Sequence, residues 1–129
     1  QVFAPRMSAK KEGRIILISS VMGLMSASFT SAYSAAKGGM NALMRSLAAE
    51  FGPHGVTSNT IAPGWILTER TEDLHRDPVR NKAIIGGTAL NRWGRPEEVA
   101  AMALFLASEA GAYVTGQVMV VDGGFSSTF

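Results

Sequence analysis

Cysteine is absent from the 129 residues, which excludes a disulfide framework and thiolate metal sites. That composition suits a reducing compartment, so the expected location is cytoplasmic. Histidine is scarce too: His54 and His75 stand far apart without cysteine companions, so both are expected at the surface and no metal site is expected. An excess of one charge is also lacking. Twelve basic and ten acidic residues leave a net charge of +2, and no basic stripe interleaved with aromatics is present, so no nucleic-acid partner is expected. The uncharged stretch between Ile15 and Ala36 is long enough to raise the question of a membrane span, but six serines within it argue against one. The opening QVFAPRMSAKKEG has no initiating Met, and it offers no apolar core followed by a small-residue cleavage site, so no signal peptide is expected. No Gly-x-Gly-x-x-Gly follows a strand-like run, which leaves out the usual cradle for the phosphates of a dinucleotide.

What is present has the length of one domain and, at 47% apolar and 17% charged residues, the composition of a globular rather than a disordered chain. The stretch GRIILISSVMGLMSASFTSAYSAAK organises the rest. Its apolar run Ile15-Ile16-Leu17-Ile18 shows no polar alternation, as in a parallel strand buried on both faces. Ser20 follows at the carboxyl end, where open α/β sheets have their ligand crevice. Thr30 or Ser31 can cap a helix running to about Phe51, with Ala36, Met40, Leu43, Met44, Leu47 and Phe51 at helical spacing. Tyr33 and Lys37, four residues apart on that helix, then share a face one turn apart.

A free phenol ionises only near pH 10, so it is a poor base at neutral pH. An ammonium about 5 Å away at an effective dielectric of about 20 attracts a phenolate by roughly 3 kcal/mol, most of what neutral-pH ionisation requires. The chemistry suggested is general acid/base work by Tyr33, with Lys37 lowering its pKa and Ser20 holding the reacting oxygen. By itself Tyr-x-x-x-Lys arises often by chance on a helix.

Ser20, Tyr33 and Lys37, with GRIILISS before them and NTIAPGWILT, Gly116-Gln117 and Val121-Asp122-Gly123-Gly124 after them, resemble the C-terminal half of the short-chain dehydrogenase/reductase family. The resemblance covers nearly the whole chain. It implies an α/β fold: three strands with flanking helices, forming the C-terminal part of a Rossmann-like doubly wound parallel sheet whose N-terminal nucleotide-binding half is absent. It implies hydride transfer between NAD or NADP and a ketone or secondary alcohol, with Ser20, Tyr33 and Lys37 catalytic. Tyr33, Lys37, Pro63, Gly64, Ile66 and Thr68 would contact the cofactor. Met22, Met25, Thr30 and Trp65 would wall a substrate pocket, and a homo-oligomer, dimer or tetramer, is expected.

Elsewhere, residues 1–11 read as the tail of a helix, 56–61 as a short strand and 117–121 as a third strand ending at a turn residue, Asp122. Gly38-Gly39 inside a helix costs about 1 kcal/mol per glycine relative to alanine, which points to close approach by a cofactor or a neighbouring helix, or to helix packing alone. Ser58 stands where the family more often has an aliphatic residue. Pro96 with Glu97 and Glu98 opens the last long helix, whose buried stripe is Val99, Met102, Ala103 and Leu106. Residues 69–82 hold four acidic and four basic side chains, a solvated segment that the resemblance makes part of a lid over about 69–92, with Ile84, Ile85, Leu90 and Trp93 as its apolar underside.

Two functions follow. One is an NAD(P)-dependent oxidoreductase acting on a small carbonyl or alcohol, either a sugar acid or polyol or an acyl-thioester ketone. The other is a non-catalytic half that keeps the site residues and acts only in structure or assembly.

Overall fold

The computed structural model describes residues 2–128, so Gln1 of the expected leading helix lies outside the described residues. The order of elements is α1 (Phe3–Lys10), β1 (Gly13–Ile18), α2 (Ser31–Phe51), β2 (Val56–Pro63), α3 (Glu72–Arg76), α4 (Pro78–Gly86), α5 (Pro96–Ala107) and β3 (Val118–Val121). The three strands form one parallel sheet in the order β1-β2-β3, with Gly13 opposite Val56 and Ile18 opposite Ile61 on one side, and Thr60 opposite Val118 on the other. All three carboxyl ends therefore lie at one end of the sheet. A parallel pair needs a crossover, and α2 and α5 serve as those between β1 and β2 and between β2 and β3.

β2 is the central strand and is buried from Val56 to Ala62, although four of its residues, Thr57, Ser58, Asn59 and Thr60, are polar. Burial of such groups requires partners. Ser58 Oγ donates to Met44 Sδ on α2, Asn59 Nδ2 donates to Val114 O at 2.8 Å, and Asn59 Oδ1 accepts from Gln117 N–H at 3.0 Å. The Ser58 bond fastens β2 to α2 and explains why Ser58 does not loosen the strand, while the Asn59 bonds fasten it to the turn before β3.

Four expectations need correction. β1 is not buried on both faces: it is half-buried along its length, and Ile18 is 47% exposed, because among the described residues β1 pairs only with β2 and its other edge is uncovered. On α2 the buried positions are Asn41, Met44 and Ala48, while Leu43 and Ala36 face outward, so the core-facing stripe is rotated from the purely apolar one. Leu90 is exposed, whereas Ile84 and Trp93 are buried. His75 is half-buried, its ring edge-on to Trp93 at 5.6 Å between centroids.

The tight approach suggested by Gly38-Gly39 occurs one element away. A Cβ at Gly38 would make only an ordinary contact and one at Gly39 would meet nothing, but a Cβ at Gly23 would sit 2.8 Å from the Lys37 carbonyl carbon. Glycine at 23 is what lets the turn after β1 rest on the α2 backbone. No helix among the described residues is long and apolar enough to cross a membrane.

Candidate active site

The carboxyl end of β1 is tied to β2 by one hydrogen bond and to the first two turns of α2 by two more. Ser19 N–H donates to Ile61 O on β2 at 2.7 Å, Ser19 Oγ donates to Lys37 O at 3.1 Å, and the Lys37 ammonium donates to Ile18 O at 2.9 Å. Asn41, one turn beyond Lys37 and buried, adds a fourth tie by donating to Gly23 O at 3.2 Å. The strand end, the turn over 21–23 and the face of α2 carrying Tyr33 and Lys37 thus form one bonded unit.

Ser20 is 8% exposed and caps that turn, its Oγ accepting from Met22 N–H at 3.2 Å. Its own hydroxyl proton has no acceptor among the described residues. The Tyr33 hydroxyl likewise has no partner among them, and the residue is 44% exposed. Lys37 Nζ lies 5.7 Å from the centroid of that ring. Both residues, with Lys37, line one cleft of about 880 Å³ at the carboxyl ends of the strands. Such a volume admits a small substrate together with part of a larger ligand.

The same cleft is lined by Pro63, Gly64, Trp65, Ile66 and Thr68, and by Met22 and Thr30; Met25 is half-buried and does not line it. Gly64 is more than a turn residue: a Cβ there would come within 2.6 Å of Asp122 Cβ, so glycine lets the ends of β2 and β3 close together. The Gly64 N–H extends the ladder by donating to Val121 O at 3.0 Å. Asp122, the expected turn residue, accepts from Gly124 N–H, Ser126 N–H and Ser126 Oγ. Burial opposes its ionisation, but these three donors outweigh burial and hold the carboxyl below its usual range. Thr30 does not cap α2 by its side chain; its hydroxyl bonds back to Ala27 and lies 3.0 Å from Ser34 Oγ.

Sequence reasoning missed Thr71. Its hydroxyl accepts from Thr68 N–H at 2.9 Å and donates to Ile66 O at 2.7 Å, pinning the loop after β2 against the cleft. The Thr-x-x-Thr spacing was the available signal, since a hydroxyl three residues on is where a turn is closed. Leu74 and Phe125 were missed as well, both lining the cleft, and Phe125 packs edge-on to Trp65 at 6.2 Å. Their side chains arrive from distant segments, with no local pattern to mark them.

The family described as enoyl-(acyl carrier protein) reductase matches residues 1–126. The chain belongs to the short-chain dehydrogenase/reductase family. As a short-chain dehydrogenase/reductase sequence it is 45% identical over 119 residues to a 3-oxoacyl-[acyl-carrier-protein] reductase of Synechocystis, covering 92% of this chain and 46% of the relative. Among solved short-chain dehydrogenase/reductase structures, it is similar to a gluconate 5-dehydrogenase from Burkholderia cenocepacia in complex with NADP and tartrate. The TM-score is 0.92 at 35% identity, with 96% of this chain and 49% of that one covered. It is also similar to a 4-hydroxyisoleucine dehydrogenase complexed with NADH, with a TM-score of 0.93 at 34% identity and 96% and 51% covered. The chain spans about half the length of the curated relatives it matches and corresponds to their C-terminal half.

Proposed function

We propose that residues 1–129 form the catalytic half of an NAD(P)-dependent oxidoreductase that interconverts a secondary alcohol and a ketone. The observation that carries this reading is that Ser20, whose hydroxyl proton has no acceptor among the described residues, and Tyr33, whose hydroxyl has no partner among them, line one cleft with Lys37. Tyr33 exchanges the proton on the reacting oxygen, Ser20 donates a hydrogen bond to that oxygen, and Lys37 supplies the positive charge against which a phenolate can form. The tie from Lys37 to Ile18 O holds the ammonium beside the phenol rather than letting it extend into water.

The residues after β2 fit a nicotinamide cofactor. Ile66 lines the cleft, and its backbone N–H has no partner among the described residues while its flanking groups, Trp65 O and Leu67 N–H, are bonded to Gly94. An unpaired amide at a cleft wall suits a carboxamide oxygen. Pro63, Gly64, Ile66 and Thr68, with Tyr33 and Lys37, would hold the cofactor, and the two similar structures named above are complexes with NADP and NADH. When bound, the cofactor supplies or accepts the hydride. Residues 69–92 serve as the lid over substrate, and the complete enzyme is a homo-oligomer.

The test is Tyr33→Phe in the full-length enzyme. Removal of the transferable proton with little change of volume is expected to lower kcat by about 10²–10⁴-fold with the circular dichroism spectrum unchanged. Unchanged turnover would favour the reading of a non-catalytic half.

A further inference from the structure

The cleft's lining carries two side-chain charges, and both are positive: Lys37 and Arg70. Lys37 is already committed to Ile18 O and to the face of the Tyr33 ring. Arg70 makes no hydrogen bond or ion pair with any described residue. This sets it apart from the other arginines near the lid, since Arg76 pairs with Glu72, Arg80 with Asp77, and Arg92 and Arg95 with Glu98. The acidic side chains nearest in sequence, Glu69, Glu72 and Asp73, are not part of the lining.

The position of Arg70 is set by its neighbours. It lies in the turn Glu69–Thr71, and Thr71 is pinned to Ile66 O and Thr68 N–H, so the backbone under the guanidinium is anchored to the loop that follows β2. Leu74, one turn on, also lines the cleft, which places Arg70 and Leu74 on the inner face of the lid. Trp65, Leu74 and Phe125 line the same cleft and give it apolar wall. Arg70 is exposed at the cleft, so an incoming anion can reach it, and its guanidinium presents a planar fork that matches a carboxylate.

We propose that Arg70 is a specificity-determining residue that binds a carboxylate of the substrate, so that the enzyme acts on hydroxy acids and the corresponding keto acids rather than on neutral polyols. The inference rests on the oxidoreductase reading above and names the substrate class of the same site.

The experiment compares acids with neutral partners in the full-length enzyme: lactate with propane-1,2-diol, glycerate with glycerol, 3-hydroxybutyrate with butane-1,3-diol, and D-gluconate with D-glucitol. kcat/KM is measured for each with wild type, Arg70→Leu and Arg70→Lys. The expected result is an acid preferred by at least about 10-fold over its partner, a preference of about 10–100-fold being what a charge-assisted hydrogen bond supports. It should be lost in Arg70→Leu and partly retained in Arg70→Lys, with the KM for the cofactor unchanged. Equal use of acid and neutral partner, or a preference that survives Arg70→Leu, would overturn the proposal. So would a rise confined to the KM for the cofactor, which would assign Arg70 to the phosphates. Tyr33→Phe distinguishes the two levels: unchanged turnover there sinks the mechanism itself, whereas its loss together with indifference to Arg70 sinks only the substrate class.

Discussion

The Lys37 ammonium donates a 2.9 Å hydrogen bond to the carbonyl oxygen of Ile18, the last residue of β1. That bond joins a helix to the end of a strand nineteen residues away and turns a local i, i+4 pair of Tyr33 and Lys37 into part of a site with a fixed relation to Ser20. Lys37→Met keeps the length of the side chain and removes the charge. It is expected to reduce kcat strongly by leaving Tyr33 without its neighbouring cation, as read by steady-state kinetics with an unchanged circular dichroism spectrum.

Ser20→Ala should retain the fold, because the hydroxyl accepts only one bond, from Met22 N–H, in a three-residue turn. Its loss is expected to lower kcat by about 10²–10³-fold, the range for removing one donor to a reacting oxygen. Steady-state kinetics alongside a thermal melt check this; a melt displaced as far as the rate would make the effect structural.

Gly23→Ala tests the packing of turn on helix. The added Cβ would lie 2.8 Å from the Lys37 carbonyl carbon and 2.9 Å from its oxygen, both backbone atoms that cannot rotate away. A destabilisation of about 1–3 kcal/mol is expected, together with a fall in kcat as Tyr33 and Lys37 shift. Gly39→Ala, with open space around it, is the control and should be neutral or slightly stabilising.

Glu98 supplies a pH-dependent contribution. Hydrogen bonds from Arg92, then the Arg95 N–H, hold its carboxyl at about 2, well below the 4.5 of an unperturbed glutamate. A depressed folded-state value means stability that is present above about 4.5 and lost as pH falls towards 2. The difference in stability between wild type and Glu98→Gln is therefore expected to shrink across that window, as followed by denaturant melts at stepped pH.

The polypeptide 1–129 produced by itself is expected to associate and to show no measurable NAD(P)H binding. Among the described residues β1 pairs on one edge only, and the sequence holds no glycine-rich loop to cradle a pyrophosphate. Light scattering with cofactor fluorescence titration checks this, and a monomer that binds either cofactor at micromolar concentration contradicts it.

Much of the site was legible in the sequence because its signals are local. An apolar run marks β1, a serine follows it, and Tyr33 and Lys37 repeat at the helical period, so the strand, helix and three candidate groups could be read from neighbouring residues. Pro63-Gly64 and Pro96 likewise punctuate the chain where β2 ends and α5 begins. Tertiary structure alone decided the rest. Asn41 is buried among residues that periodicity would fill with apolar side chains, because its amide finds Gly23 O across the turn. Leu43 is exposed because the face of α2 turned to β2 runs through Asn41, Met44 and Ala48. Gly23, not Gly38-Gly39, proved to be where turn and helix meet closely, and Phe125 and Arg70 reach the cleft from segments far from Ser20 in the chain. Periodicity reports which way a residue points relative to its own element, but which surface it meets depends on contacts between distant segments, and only the folded chain brings those together.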